Sequence, residues 1–220
     1  MAWGEFALAF LAFFLTHSVP IRPPVRPWLV TRLGHAGFGL AYSALSLGVL
    51  AWLIGAAGRA PYLPLWPWAP WQTHLVLTVM GPVCLILAFA IARPNPFSFG
   101  GAGNARFDPA RPGLVRLTRH PLLAALALWA GAHLLVNGDL AHAMLFGTFA
   151  GFALLGMRLI DRRRQREMGA AWSRLDAARR SSLPRPMSWP GVGLRLLLGV
   201  GLYAGLLWLH PWLIGVNPLL

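Results

Sequence analysis

The chain has 220 residues, of which 57% are hydrophobic and 11% are charged, and its mean hydropathy is +0.58. A soluble domain of this size cannot carry so much apolar surface, so the composition excludes a soluble enzyme and predicts an integral membrane protein. The net charge is +13, and all 19 basic residues are arginines. Because these arginines cluster between apolar segments, they indicate contact with anionic lipid and a fixed membrane orientation, not nucleic acid binding.

The apolar segments predict an all-α fold, a polytopic membrane helix bundle of about six transmembrane helices. These helices lie at about residues 2–15, 36–57, 72–92, 119–139, 140–160 and 192–214. The first segment lacks the basic start and cleavage site of a secretory signal, so we expect a retained helix. Residues 1–220 form one predicted domain, with a core at 1–160, a basic amphipathic segment at 161–190 and a last span at 191–215.

Arginine is distributed unevenly among the loops between these helices. The loops after the first, third and fifth helices hold nearly all of it, whereas those after the second and fourth hold only Arg59. The positive-inside rule therefore predicts a multi-pass protein of the bacterial inner membrane, with basic loops in the cytoplasm and the N-terminus outside. The basic run at 162–166 is typical of a lipid-headgroup patch; the alternative is a grip on an anionic ligand.

One predicted helix, at residues 119–139, carries two histidines. His120 lies at its mouth, directly before Pro121, and His133 lies about 20 Å further along the axis at 1.5 Å per residue. Ionisable residues inside a membrane are costly and normally face a partner, a ligand or a metal. His133 is therefore a candidate functional residue.

Several other kinds of chemistry have little support in the sequence. Only six residues are acidic, and of these Glu5 and Asp139 alone lie at or near predicted spans, so paired-carboxylate catalysis is not expected. The single cysteine, Cys84, excludes an intramolecular disulfide and a cysteine-cluster metal site, and we expect it to be a buried apolar residue. No Gly-rich phosphate loop and no Gly-x-Ser-x-Gly elbow is present.

Four histidines stand at or inside helices beside small or hydroxyl residues: His17, His74, His120 and His133. Each alone can be satisfied by a backbone carbonyl or by water. Together they favour haem b between two axial imidazoles, because the chain has no cysteine cluster and almost no carboxylate. Depth along straight helices pairs His17 with His120 and His74 with His133.

The other three histidines have simpler explanations. Interfacial packing explains His35 and His210, which lie at loop or span ends without a polar neighbourhood. His142 is expected to be a solvated interfacial residue; the alternative is that it lines the same cavity as His133.

Short motifs follow one another in a specific order along residues 1–160. They are Thr16-His17-Ser18, Tyr42-Ser43-x-x-Ser46, His74, Arg119-His120-Pro121, Trp129-Ala130-Gly131-Ala132-His133-x-x-x-Asn137-Gly138-Asp139 and Leu145-Phe146-Gly147. In order and placement they resemble the NnrU family of bacterial membrane proteins, which is associated with denitrification and nitric oxide metabolism. The resemblance implies a haem b-binding protein that acts as a redox or isomerase-type enzyme. An accessory or assembly protein for nitric oxide reductase is an alternative.

A plant relative of that family, the 15-cis-zeta-carotene isomerase, is a haem b membrane enzyme. The resemblance to it implies that His17 and His133 are the axial ligands, with His74 and His120 as supporting or alternative ligands. A cysteine implicated in that enzyme falls where this chain has Ala130. We assign no residue as catalytic. The expected partners are membrane lipid and nitric oxide reductase or other respiratory membrane proteins.

A second resemblance implies a different chemistry. Arg119-His120-Pro121, together with Arg166-Glu167 to Pro184, is similar to the C-terminal part of the isoprenylcysteine and phospholipid methyltransferases. In those enzymes a basic cytoplasmic segment helps to hold S-adenosylmethionine. Only Glu167 stands where they commonly have two adjacent acids. An S-adenosylmethionine-dependent membrane methyltransferase is therefore the alternative function.

Overall fold

The computed structural model describes residues 2–99, 102–182 and 188–219. Seven α-helices account for most of them: α1 Ala2–Ser18, α2 Val25–Arg59, α3 Pro70–Ala90, α4 Pro121–Val136, α5 Leu140–Met168, α6 Ala170–Ser181 and α7 Trp189–Ile214. Short 3₁₀ turns lie at Asn104–Arg106 and Gly113–Arg116. Within these described ranges the β-structure is limited to one isolated bridge, between Pro64 and Asp139. The predicted all-α helical fold is confirmed.

Four helices, α2, α3, α5 and α7, are long and apolar enough to cross a membrane, which supports the predicted membrane protein. The predicted count of six spans is corrected to four. Helices α1 and α4 have 17 and 16 residues. At 1.5 Å per residue each is about 25 Å long, which is less than a hydrocarbon core of about 30 Å.

Two helices extend further than the sequence pattern predicts. Helix α2 begins at Val25 rather than near residue 36, because a proline in the first turn, here Pro27, costs no helical hydrogen bond. Gly34 interrupts α2 with a φ of 70°, which marks a kink. Helix α5 continues to Met168, and Gly169, with a φ of 54°, separates it from α6.

The chain divides into two compact units, of which the first contains Met1–Trp66 and Gly138–Leu145. In this unit α1 packs against α2. Arg59, at the end of α2, pairs with Glu5, at the start of α1, at 2.5 Å, so the two helices are antiparallel. The amides of Leu65 and Trp66 donate to the Gly138 carbonyl at 2.7 and 3.2 Å. Gly138 has no room for a side chain, because a Cβ there would lie 2.1 Å from the Trp66 carbonyl oxygen.

The second unit contains Pro67–Asn137 and Phe146–Leu220. Here α3 packs against α4 and α7. The α5 part of this unit runs antiparallel to α4, since Trp129 contacts Phe149 and Leu123 lies over Gly156. Only 6% of the most apolar window of α7 is buried. Its outer surface is therefore suited to lipid and not to water.

One end of the second unit is basic. A salt bridge between Arg119 and Asp161 brings the start of α4 to the end of the apolar part of α5. Arg195, near the start of α7, donates to the Ala88 carbonyl at the end of α3. The arginines of the loop between α3 and α4 and those of α6 therefore lie at this same end, which we call the basic end.

Candidate functional site

His17 lies in the last turn of α1, in the first unit. Its Nδ1 lies 2.8 Å from the carbonyl oxygen of Phe13, and the two rings are in contact, with centroids 4.1 Å apart. Tyr42 of α2 reaches the same position, because its hydroxyl donates to the His17 carbonyl at 3.5 Å. Ser46, one turn further along α2, has a buried hydroxyl with no hydrogen-bond partner in the described part of the chain.

His133 lies in the last turn of α4, in the second unit, and aromatic rings surround it. The ring centroids of Trp129 and Phe146 each lie 5.3 Å from that of His133. Phe149 extends this cluster through Trp129. His133 Nδ1 lies 2.9 Å from the Trp129 carbonyl oxygen. The surroundings are apolar, with one polar contact.

His17 and His133 therefore share one local arrangement. A backbone carbonyl only accepts hydrogen bonds, so Nδ1 must carry the proton and donate it to the carbonyl four residues earlier. The lone pair is then on Nε2, and no hydrogen bond to Nε2 of either histidine is found among the described residues. Metal-binding histidines are commonly held in this tautomer by the same kind of contact. His17 belongs to the first unit and His133 to the second.

His120 is held differently, by polar contacts at both ring nitrogens. Its side chain is buried, with Nδ1 3.0 Å from Ser98 Oγ and Nε2 3.0 Å from Asp161 Oδ1. Burial lowers the pKa of His120, and the charges of Arg119 and Arg179 add to this, whereas Asp161 opposes it. His120 has no ring nitrogen left for a ligand unless one of these contacts breaks.

Arg119 is the centre of the polar cluster around His120. It binds Asp161 through two hydrogen bonds, of 2.9 and 2.5 Å, and also reaches Asp176 of α6 at 3.1 Å. Arg179 pairs with Asp176 at 2.5 Å and donates to the carbonyl of Val115. Burial alone would raise the pKa of Asp176, but the hydrogen bonds from Arg179 and Arg119 outweigh it and lower the pKa.

The remaining histidines have separate positions. His74 is exposed at the start of α3. His142 pairs with Asp139 at 2.7 Å near the start of α5. His210 lies within electrostatic range of His133, although the sequence offered no reason to connect them. In the described ranges no group of three or more His, Cys, Asp or Glu side chains converges on a metal position.

A cavity of about 530 Å³ lies at the basic end, between the end of α3, the loop at 92–115 and the first turns of α7. Four arginines contribute to its lining, Arg93, Arg106, Arg111 and Arg195, and we call it the arginine cavity. Sequence reasoning treated Arg93, Arg106 and Arg111 as loop charges that set orientation, and it placed Arg195 in the last predicted span. These arginines converge because α3 packs against α7, and no local sequence motif indicates that packing.

A family model described as NnrU protein matches residues 5–218, nearly the whole chain. The chain belongs to the NnrU family. Comparisons with curated proteins and with solved structures gave no match. The NnrU match continues past residue 160, where the predicted core ends, through α6 and α7. Both the Arg119 cluster and the arginine cavity thus lie within the part of the chain that the family shares.

Sequence reasoning missed the residues that hold the start of α4. Asp161 and Asp176 look like isolated acids in a basic segment, and Ser98 looks like an ordinary loop residue. Asp161 is 42 residues from Arg119 and Asp176 is 57 residues from it. The one available signal was the scarcity of acids: the chain has six, and three of them, Asp161, Glu167 and Asp176, lie in one basic segment, which indicates pairing with arginine.

Proposed function

We propose that this NnrU protein binds haem b in the membrane, with His17 and His133 as its axial ligands, and serves nitrogen oxide metabolism. The observation that carries the proposal is the shared tautomer, with Nδ1 donating to the carbonyl of Phe13 or Trp129 and Nε2 left with a lone pair. Two neutral imidazoles in apolar surroundings are a donor set that suits haem iron.

The residues around each histidine fit a flat apolar group with a polar edge. Near His133, the rings of Trp129 and Phe146 exclude water and offer faces for stacking. Near His17, Tyr42 supplies a hydroxyl, and the buried Ser46 hydroxyl has no protein partner in the described residues. A buried hydroxyl of this kind normally has a partner, so a ligand that accepts or donates one hydrogen bond fits.

When bound, haem would supply one-electron redox chemistry. The chain's own part is to hold the two imidazoles. Each Nδ1–H···O=C bond orients its ring and raises the basicity of Nε2, which would strengthen its bond to iron. His120 has a different role: both its nitrogens are occupied, so it positions the start of α4 and leaves ligation to His133.

Haem content and the Soret band of the purified full-length protein test this proposal. We expect His17→Ala and His133→Ala each to lose the low-spin spectrum of the wild type. His35→Ala is the matched control, since this exposed histidine has no role in either site. His74→Ala, His120→Ala and His210→Ala test the other candidates. If His17→Ala or His133→Ala keeps the wild-type spectrum while one of these three loses it, the assigned pair is wrong.

The same preparation separates the alternative functions. A colourless wild-type protein that binds S-adenosylmethionine would indicate the methyltransferase. Glu167, the acid of that resemblance, accepts hydrogen bonds from Arg163 at 2.6 Å and Arg164 at 2.9 Å, and Pro184 lies outside the described residues. Haem that leaves the protein during purification and passes to a nitric oxide reductase would indicate the accessory role.

We further propose that the basic end faces the cytoplasm of a bacterium. The predicted outside position of the N-terminus requires α1 to cross the membrane, and it stays a prediction. Loops rich in arginine normally lie on the cytoplasmic side of a membrane. Single cysteines at positions 68 and 164, in a Cys84→Ser background, test this with an impermeant thiol reagent added to intact cells. We expect labelling at 68 and none at 164; the opposite pattern would reverse the orientation.

A further inference from the structure

The arginine cavity takes no part in the proposed haem site and raises a separate question of what it binds. Its described lining contains four arginines and one acid, Asp108. Asp108 Oδ1 accepts the amide of Ala110 at 2.9 Å and so stabilises its own turn. The cavity therefore concentrates positive charge with little internal compensation.

The arginines of the neighbouring Arg119 cluster are paired with acidic side chains. Arg119 and Arg179 both bind Asp176. In the described part of the chain, no salt bridge joins Arg106, Arg111 or Arg195 to an acidic residue. The charge of Arg93 acts on that of Arg195, which is a repulsion between like charges. Placing an anion between them would relieve this repulsion.

One cavity arginine is oriented by backbone carbonyls, and a second lies close to a glycine. Arg195 donates to the carbonyls of Ala88 and Ile91 at the end of α3. Arg106 lies over Gly103, where a Cβ would come within 2.5 Å of its Nη2, and Gly103 has a φ of 64°. Gly103 thus gives the Arg106 guanidinium space that any other residue would fill. Arg195 is therefore held in place before a ligand arrives.

The position of the cavity selects the kind of anion. Helix α3 ends and helix α7 begins at its edge, and both are candidate membrane spans. Its wall includes apolar side chains, such as Phe89 and Val192, beside the arginines. A site where apolar spans end and arginines begin lies at the depth of phospholipid phosphates. Arginine forks also match phosphate oxygens.

We propose that the arginine cavity binds a phosphate-bearing anion, held by Arg106 and Arg111 with support from Arg93 and Arg195. The position of the cavity favours the phosphate of a membrane phospholipid headgroup as the source. A soluble phosphate is the other source of the same chemistry. The α7 N-terminus, capped by Ser188, adds partial positive charge at the rim.

Native mass spectrometry of the full-length protein in detergent tests the proposal, with added phosphatidylglycerol as the lipid probe and inorganic phosphate as the soluble one. We expect the wild type to retain one phosphatidylglycerol and to retain phosphatidylcholine less well. Arg106→Gln combined with Arg111→Gln removes the two arginines that hold the anion in this proposal and leaves Arg195, which contacts the end of α3, in place. This variant should bind phosphatidylglycerol about tenfold more weakly, since two charge-assisted contacts are lost.

The matched control is Arg162→Gln combined with Arg166→Gln, which removes the same charge from a separate, open surface of α5. Its binding should stay within about twofold of wild type, because general attraction to anionic lipid is spread over many arginines. If the cavity variant does not fold, Arg111→Gln alone tests the proposal with a smaller expected loss.

The outcomes differ in meaning. Loss of phosphatidylglycerol in the cavity variant and not in the surface variant supports a lipid headgroup site. Loss of inorganic phosphate binding alone, with lipid binding unchanged, supports the same site with a soluble phosphate as its ligand. Equal binding of both probes by the wild type, the cavity variant and the surface variant overturns the proposal.

Discussion

The two ends of α4 solve the problem of a buried histidine in opposite ways. At the basic end, His120 is fixed by Ser98 and Asp161, within a cluster of ion pairs around Arg119. At the other end, His133 has one backbone contact and is otherwise surrounded by Trp129 and Phe146. A fully satisfied imidazole is part of the scaffold, whereas a half-satisfied one in apolar surroundings is available to a ligand.

The difference shows why residue type alone does not identify a ligand. Both histidines are on one helix, and both belong to motifs of the NnrU resemblance. What separates them is the number of acceptors or donors within reach of the ring. Changes at each end should therefore affect different properties, stability at one and cofactor binding at the other.

The largest effect on stability is expected from Asp161→Ala. This change removes the carboxylate that Arg119 and His120 share. The side chains of Arg119 and His120 are only 21% and 4% exposed, so water replaces the lost contacts poorly. Loss of one partner of a buried pair costs about 3 kcal/mol, or about 6–12 °C in Tm. Thermal unfolding in detergent measures it, with Asp108→Ala as the control. A similar Tm for both variants would remove the structural role assigned to this end.

A smaller loss is expected at the apolar end from Phe146→Ala. Phe146 is 8% exposed and contacts both Trp129 and His133. The lost packing should cost about 2 kcal/mol, less than in a soluble core because lipid also solvates the ring. We expect the Soret band to shift as His133 loses its support. Phe152→Ala, at a site 44% exposed, is the control and should leave the band unchanged.

The pH dependence of stability distinguishes the two ends more finely. The pKa of His120 is lowered from 6.5, so the unfolded chain binds a proton at this residue more readily than the folded one. Its contribution to stability is therefore complete above about pH 6.5 and is lost as the pH falls towards the lower folded pKa. The difference in Tm between wild type and His120→Gln should shrink from pH 7 to pH 5. A constant difference would contradict the lowered pKa.

The smallest effect is expected from Glu167→Gln. Its partners Arg163 and Arg164 lie on the surface of α5, where water and salt screen ion pairs. The Tm should equal that of the wild type within error, in contrast to Asp161→Ala. A clear loss would show that the end of α5 belongs to the same cluster as Arg119.

Apolar length and helix signals were enough to predict the all-α class and most helix positions. Pattern reasoning failed where local and non-local effects compete. Near Pro27 it predicted a loop, although a proline in a first helical turn is tolerated. In α5 it ended the helix near residue 160, but Arg163 and Glu167, four residues apart, help to continue it to Met168.

The candidate histidines were recognisable from the sequence, but their environments were not. A contact to a carbonyl four residues earlier is local and follows from the helix itself, so it fits any histidine inside a helix. The Asp161 contact of His120 joins residues 41 apart and depends on the packing of α4 with α5. Sequence periodicity carries no information about such pairs, so the contact between His120 and Asp161 was not predicted.

The packing of α7 against α3 has a mechanical consequence. Arg195 binds Ala88, Gly199 lies against Leu85 with no space for a Cβ, and the Tyr203 hydroxyl donates to the Leu77 carbonyl at 3.0 Å. These three points follow one antiparallel register. Sliding α7 by one turn, about 5.4 Å, would break all of them together. The two helices therefore cannot move as a piston and must tilt or rotate as one body.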